Sequence, residues 1–206
     1  MQIYKFLTSP TQVNTYFAYD ANVGFIVDPG GYEPRLTEIA RSEQIDVQYI
    51  ILTHGHGDHI GGIAGFKEDF PNAKVVAYCD EREILNDSSL NAAKDIFGYD
   101  ISIDADIYVN DGDKLNVGNM NLKFIHTPGH TAGGMCIVCG DYIFTGDTIF
   151  RESIGRTDFY SGNFDEIIRS IKNKIFTYPD STILLPGHMG ETTIEHEKRY
   201  NPFVQD

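Results

Sequence analysis

Short apolar runs open the chain. Gln2–Leu7, Asn14–Ala18 and Gly24–Val27 are rich in β-branched and aromatic residues, and Pro10 and the Asp20–Ala21–Asn22 cluster separate them, the pattern of a strand meander. Glu33–Glu43 then sets Leu36, Ile39 and Ala40 at helical spacing behind Pro34, a residue suited to a first helical turn. Val47–Leu52 and Ala73–Tyr78 are continuous apolar runs, as expected of strands covered on both faces. Asp58–Phe70 reads as a helix beginning after the Gly55/Gly57 turn, and Asp80–Phe97 as a polar helical stretch in two pieces before the acidic loop Asp100–Asp106. Strands follow at Ile107–Val109, Leu122–His126, Met135–Val138 and Tyr142–Phe144. Phe164–Phe176 places Phe164, Ile167, Ile168, Ile171 and Ile175 on one face of an amphipathic helix. Ser181–Leu185 reads as a last strand and Thr192–Arg199 as a last helix. Strands and helices mixed in this order predict an α/β protein of stacked layers, with no linker or repeat.

Composition narrows the classes. With 206 residues, 41% hydrophobic and 22% charged, one globular domain over residues 1–206 is expected. Thirty acidic residues against 16 basic ones give a net charge of −14. Such a surface repels phosphate backbones and anionic lipid, so neither nucleic acid nor a membrane is the expected partner. No apolar run approaches the ~18 residues of a spanning helix. The opening MQIYKFLTSPTQVNTY lacks a basic segment followed by an apolar one, so no secretory signal is expected. Three cysteines argue against a disulfide framework and for a reducing compartment, and the cytoplasm is the expected location.

The candidate chemistry sits at strand ends. Ile50–Thr53 runs into His54-Gly55-His56-Gly57-Asp58-His59, Leu122–Ile125 into His126-Thr127-Pro128-Gly129-His130, and Ile183–Leu185 into Pro186-Gly187-His188. Tyr142–Thr145 ends in Gly146-Asp147 and Phe25–Val27 in Asp28-Pro29-Gly30. Ligand sites assemble at such strand ends in layered α/β proteins, and histidine with carboxylate is the donor set of zinc, manganese or iron. His54 and His56 can converge on one cation from a turned backbone, and the adjacent Asp58 and His59 can reach a second one. A buried, unpaired carboxylate is costly, which favours a bridging role for Asp147 over an idle one. Asp28 in Asp-Pro-Gly is read as a turn residue or a support for a ligand rather than a ligand itself. His126 and His196 are read as packed and solvated. Cys136 and Cys139 form C-x-x-C in an apolar strand; its period of two turns them to opposite faces, which excludes a zinc ribbon.

Thr53-His54-Gly55-His56-Gly57-Asp58-His59 resembles the T-H-x-H-x-D-H signature of the metallo-β-lactamase superfamily. The similarity continues through Val27-Asp28-Pro29-Gly30, Thr127-Pro128-Gly129-His130-Thr131, Thr145-Gly146-Asp147-Thr148 and Pro186-Gly187-His188. The resemblance implies a four-layer αβ/βα sandwich, two mixed sheets flanked by helices, with a dinuclear site at one edge. It implies that His54, His56 and His130 hold a first metal, that Asp58, His59 and His188 hold a second, and that Asp147 bridges them. Antibiotic-hydrolysing members carry other residues in the place of Asp147, and the flavodiiron branch carries glutamate in the place of His56. The tRNA-processing and exonuclease branches carry extra substrate-binding segments for which this chain has no room. The segments Phe150-Arg151-Glu152-Ser153-Ile154-Gly155-Arg156-Thr157-Asp158-Phe159 and Gly187-His188 through Asn201-Pro202-Phe203 resemble short glyoxalase II-like hydrolases. Met189-Gly190 departs from the Gly-Pro that often follows the histidine there, and no separate C-terminal glutathione-binding helical domain is expected.

The expected activity is therefore metal-dependent hydrolysis of small thioesters, similar to hydroxyacylglutathione hydrolysis, with Asp58 and Asp147 as catalytic carboxylates. Two divalent ions are expected, zinc first, with iron or manganese as alternatives. Water held between two cations has its pKa lowered toward ~7, which yields a bridging hydroxide at neutral pH. Phe150, Phe159, Tyr160 and Met189 are candidates for the substrate wall or for plain packing. Arg156 either holds a substrate carboxylate or braces its loop through Asp158. Two rivals stand beside this reading: a mononuclear-iron persulfide dioxygenase, which shares the ligand motifs, and a non-enzymatic module that binds a metal or thiol conjugate.

Overall fold

In the computed structural model, which describes residues 1–205, the apolar runs pair into two six-stranded sheets. The first comprises β1 (Gln2–Thr8), β2 (Val13–Asp20), β3 (Val23–Val27), β4 (Asp46–Ile51), β5 (Lys74–Tyr78) and β6 (Ile107–Val109), in that order. β1 to β3 form the antiparallel meander, and β4, β5 and β6 continue parallel to β3. The second sheet contains β7 (Lys114–Val117), β8 (Met120–His126), β9 (Met135–Cys139) and β10 (Tyr142–Gly146). A two-residue hairpin of β11 (Ile149–Phe150) and β12 (Ser153–Ile154) stands apart, before β13 (Ile183–Pro186) and β14 (Thr192–Thr193) complete that sheet in the order β14-β13-β10-β9-β8-β7. Only the β10–β13 pair in it is parallel.

Strand periodicity sorts the core into layers. Phe25, Val27, Ile51 and Val76 meet Leu122, Phe124, Ile137, Phe144 and Leu185 between the sheets. The alternate residues Ile26, Ile50 and Leu52 face outward onto Leu36 and Ala40 of α1 (Pro34–Ser42), Ile60 of α2 (Gly57–Ile60), and Ile63 and Phe66 of α3 (Ile63–Asp69). Two short helices follow β5, α4 (Arg82–Asn86) and α5 (Ala93–Phe97). On the far side, Cys136 and Ile143 pack under Ile167 and Ile171 of α6 (Phe164–Asn173) and Ile194 of α7 (Ile194–Tyr200). The result is helices, sheet, sheet, helices: the four-layer αβ/βα sandwich. Cys136 lies in this outer cluster and Cys139 between the sheets, on opposite faces of β9, and both are free thiols.

Three local expectations are corrected. The helix expected over 58–70 breaks into α2 and α3, because the Gly62 N–H leaves the helical ladder and donates to the Pro29 carbonyl at 2.7 Å. A Cβ on Gly62 would meet the Gly31 carbonyl carbon at 2.5 Å, so the turn after β3 packs directly on the glycine pair. β7 was not expected, since Lys114–Val117 has two polar residues in four; its signal is the Gly118-Asn119 turn that pairs Val117 with Met120. The last helix starts at Ile194, with Thr192–Thr193 in β14 and the Thr193 hydroxyl capping the His196 amide.

Gly57 offers a test of how tightly α5 rests on α2. A Cβ there would lie 2.5 Å from Ala93 Cα, whereas one on Gly190 meets nothing within 4 Å. Gly57→Ala should lose about 1–3 kcal/mol in chemical denaturation, and Gly190→Ala should stay within about 0.5 kcal/mol of the parent. Equal midpoints for the two variants would contradict this packing.

Candidate metal centre

Five strand ends converge at one edge of the sandwich. Asp28 follows β3, His54 and His56 follow β4, His130 lies in the loop after β8, Asp147 follows β10 and His188 follows β13. Asp58 and His59 ride on α2. Rigid strands fix where each side chain starts, and short turns aim them at a common point.

His56 Nδ1 and His130 Nε2 lie 2.9 Å apart, and the His54 ring stands edge-on to both, with centroids 4.9 Å and 4.7 Å away. His130 Nδ1 donates to the Arg156 carbonyl at 2.7 Å, which leaves Nε2 as the free lone pair. His188 Nε2 lies 3.5 Å from Asp58 Oδ2 and 3.7 Å from Asp147 Oδ2. Asp147 faces both halves of the cluster: Oδ1 is 3.4 Å from His59 Nε2, and Oδ2 is 3.5 Å from His130 Nε2.

The donor atoms form groups within 4.8 Å of one another: His54, His56 and His130; Asp58, His59 and His188; and Asp28, His54 and His59. Within this cluster three buried atoms, His54 Nε2, His59 Nε2 and Asp147 Oδ1, have no hydrogen-bond partner among the described residues. Native interiors rarely carry such orphans, and imidazole nitrogen with carboxylate oxygen is a donor set that a divalent cation satisfies. The residues present fit a metal. The third group is weaker, because the Asp28 oxygens are already used. Oδ1 accepts the Thr53 N–H at 2.7 Å, and Oδ2 accepts the Thr53 hydroxyl at 2.6 Å and His59 Nδ1 at 3.0 Å. Asp28 thus directs the His59 proton to Nδ1 and leaves Nε2 facing the cluster, doing so from a left-handed backbone with φ of 49°.

Electrostatics agree with this donor set. Burial, aided by the other imidazoles, holds His54 well below the usual imidazole value. Burial and then His130 lower His56 to about 3. His59 goes the other way, since Asp147, Asp28 and Asp58 outweigh its burial and keep it protonated. Burial opposes the charge of Asp58 and of Asp147, yet the neighbouring His59 holds both carboxyls below their usual range. Neutral imidazole and ionised carboxylate are the metal-binding forms, and a cation in the second group would replace the His59 proton.

A family model described as the metallo-beta-lactamase superfamily matches residues 8–188. The chain belongs to this superfamily. It is 33% identical over 198 residues to the Bacillus subtilis protein named probable metallo-hydrolase YqgX, covering 95% of this chain and 93% of that protein. It is 35% identical over 185 residues to the Haemophilus influenzae hydroxyacylglutathione hydrolase GloC, covering 87% of this chain and 86% of that one. The crystal structure of BLEG-1 B3 metallo-beta-lactamase superposes with a TM-score of 0.92 at 33% identity, with 100% of both chains covered. This metallo-β-lactamase superfamily chain is therefore matched along most of its length by proteins named for more than one hydrolytic activity.

The cluster opens into a cavity of about 410 Å³ whose wall includes Phe150, Phe159, Ile96 and Arg156. A wider groove of about 660 Å³ near Cys79, Arg82 and Ser102 is open to solvent and carries none of these donors. Phe150 stands edge-on to His188 at 5.8 Å and Phe159 edge-on to His56 at 5.4 Å. Arg156 makes a two-pronged contact with Asp158, at 2.9 Å and 2.8 Å, and lies over the Phe159 ring at 4.1 Å. Tyr160 and Met189 do not line this cavity; the Tyr160 hydroxyl donates to Glu83, and the exposed Met189 gives its carbonyl to Asn14. Sequence reasoning missed Thr11, which lines the cavity and donates its hydroxyl to Asp58 Oδ2 at 2.9 Å. It also missed the α5 wall at Ala92 and Ile96. The turn before β2 and an isolated short helix carry no motif that marks them.

Asp28→Asn tests the orienting contact. The amide would set an N–H where Thr53 Oγ1 and His59 Nδ1 both donate, so His59 would have to carry its proton on Nε2. Competitive titration against a chelator should show one metal site weakened about 10–100-fold and the other little changed. Parent affinity at both sites would contradict the assignment.

Proposed function

We propose that this chain hydrolyses small thioesters of the hydroxyacyl-thiol kind with two bound divalent cations, zinc first among the candidates. The observation that carries the reading is Asp147, whose two oxygens face the two donor groups at 3.4 Å and 3.5 Å above an apolar-walled cavity. In this reading His54, His56 and His130 hold one ion, Asp58, His59 and His188 the other, and Asp147 both. Likeness to the hydroxyacylglutathione hydrolase GloC supports a thioester carbonyl as the electrophile. Bound ions of this kind supply an activated water at neutral pH and polarise a carbonyl.

The remaining steps fall to the chain. Asp58, kept ionised and steadied by Thr11, faces the cavity and accepts a proton from the attacking water. Phe150 and Phe159 exclude bulk water and pack against the acyl group. Arg156, engaged by Asp158, braces the rim rather than anchoring a substrate carboxylate. A thiol has an ordinary pKa of about 8.5, so a thiolate leaves without a dedicated acid. The free cysteines suit the cytoplasmic setting proposed for the protein, and among the described residues no helix is long and apolar enough to cross a membrane. A second reading, opening of a β-lactam ring, draws its support from the likeness to BLEG-1 B3 metallo-beta-lactamase.

A hydrolysis panel of lactoyl-glutathione, simple acyl thioesters and β-lactams separates these readings. We expect thioester turnover, with a high KM for the glutathione ester that rises only a few-fold when the terminal glycine is trimmed. Asp147→Ala should lower kcat more than tenfold, about 1.4 kcal/mol or more in barrier, while far-UV dichroism stays that of the parent. Preference for β-lactams would replace the thioester reading. Oxygen uptake on a persulfide by iron-loaded protein, without thioester turnover, would favour the dioxygenase, and binding without any turnover a binding module.

A further inference from the structure

Glu81 belongs to the short 3-10 turn Cys79–Glu81 after β5 and is 1% exposed. Its carboxylate meets two loops from different sheets. Oε1 accepts the Gly55 N–H at 2.8 Å, in the turn between His54 and His56. Oε2 accepts the Thr131 hydroxyl at 2.9 Å, in the loop that carries His130, and the Gly133 amide donates to the same carboxylate. The loop is seated directly on this side chain, since a Cβ on Gly133 would lie 2.5 Å from Glu81 Oε2. Among the described residues Glu81 takes part in no ion pair. Burial pushes its carboxyl up to about 7, so neutral donors alone only partly offset the loss of water. An apolar side chain of similar volume would avoid that penalty. No apolar side chain, however, accepts two backbone N–H groups and a hydroxyl at once, and each buried donor left unmet carries its full desolvation cost. The backbone bond from Met135 N–H to the Thr53 carbonyl at 2.9 Å joins the same two regions from their opposite ends.

We propose that Glu81 is a positioning residue for the donor group of His54, His56 and His130, setting the register of the two loops that carry it. This rests on the metal-binding reading of that group. His56 and His130 sit on opposite sheets, so a sub-ångström slip between the loops would open their 2.9 Å approach. Glu81 touches neither imidazole and acts through the backbone on either side of them.

Zinc titration of the metal-free chain against a chromophoric chelator tests this in the parent, Glu81→Gln, Thr131→Val and Ile171→Ala. Whichever way the glutamine amide turns, one of its N–H groups faces a backbone N–H, and valine removes the hydroxyl contact. Both variants should weaken one of the two zinc equivalents about tenfold or more, the size of effect known for groups that orient ligands, and leave the other within about threefold. Ile171→Ala, in the α6 core away from the site, should lower the unfolding midpoint yet leave both equivalents at parent affinity. If Glu81→Gln does not fold, Thr131→Val carries the test. Parent affinity at both sites in the folded variants, or equal weakening in Ile171→Ala, overturns the positioning role. A parent chain that binds no zinc, iron or manganese overturns the metal reading beneath it.

Discussion

The approach of His56 Nδ1 to His130 Nε2, 2.9 Å apart and away from solvent, constrains most of what surrounds it. Two imidazole nitrogens at that separation share one proton or face one cation. Three further imidazoles and three carboxylates crowd the same edge, and three of their atoms have no hydrogen-bond partner among the described residues. Such an arrangement is held by the rest of the fold rather than by its own contacts. The strand ends supply the rigidity. The Asp28 turn, the glycine break between α2 and α3, and the Arg156 carbonyl each fix one ring or one loop against it.

Layer packing accounts for why the site is at an edge. Between the sheets, Phe25, Phe124 and Phe144 fill the core and leave no room for charge. At the strand termini the apolar layer ends, and residues one step beyond it, such as Asp28 after Val27 and Asp147 after Gly146, turn out of the core without reaching bulk water. Burial there makes each charge depend on its neighbours. His59 is held protonated by three carboxylates, while His54 and His56, with fewer charges beside them, stay neutral. The same half-dry environment strengthens any interaction with a cation or a polarised carbonyl.

Much of this was legible in the chain. Continuity in Val47–Leu52 and Ala73–Tyr78 predicted the two covered faces of the first sheet, and the metal-type donors stood out because each lies just past an apolar run, in or beside a glycine turn. Asp28 as a support was readable from Asp-Pro-Gly, although only the structure shows that its partners are Thr53 and His59. What stayed hidden acts over long sequence distances. Thr11 reaches Asp58 across 47 residues and Glu81 reaches Thr131 across 50, with no local pattern to announce either. Tyr160 and Met189 stood as candidates for the wall or for plain packing, and neither lines the cavity: the Tyr160 hydroxyl donates to Glu83, and Met189 sits exposed at φ 68°.

The central claim is that one carboxylate, Asp147, joins two donor groups into a single two-ion centre. Metal content measured after loading with excess zinc and exhaustive desalting tests it most directly. The account predicts two zinc ions per parent chain and a fall to one or fewer in Asp147→Asn, with the fold retained. Saturation of the parent at one ion would contradict it, as would two ions held at undiminished affinity without the Asp147 carboxylate.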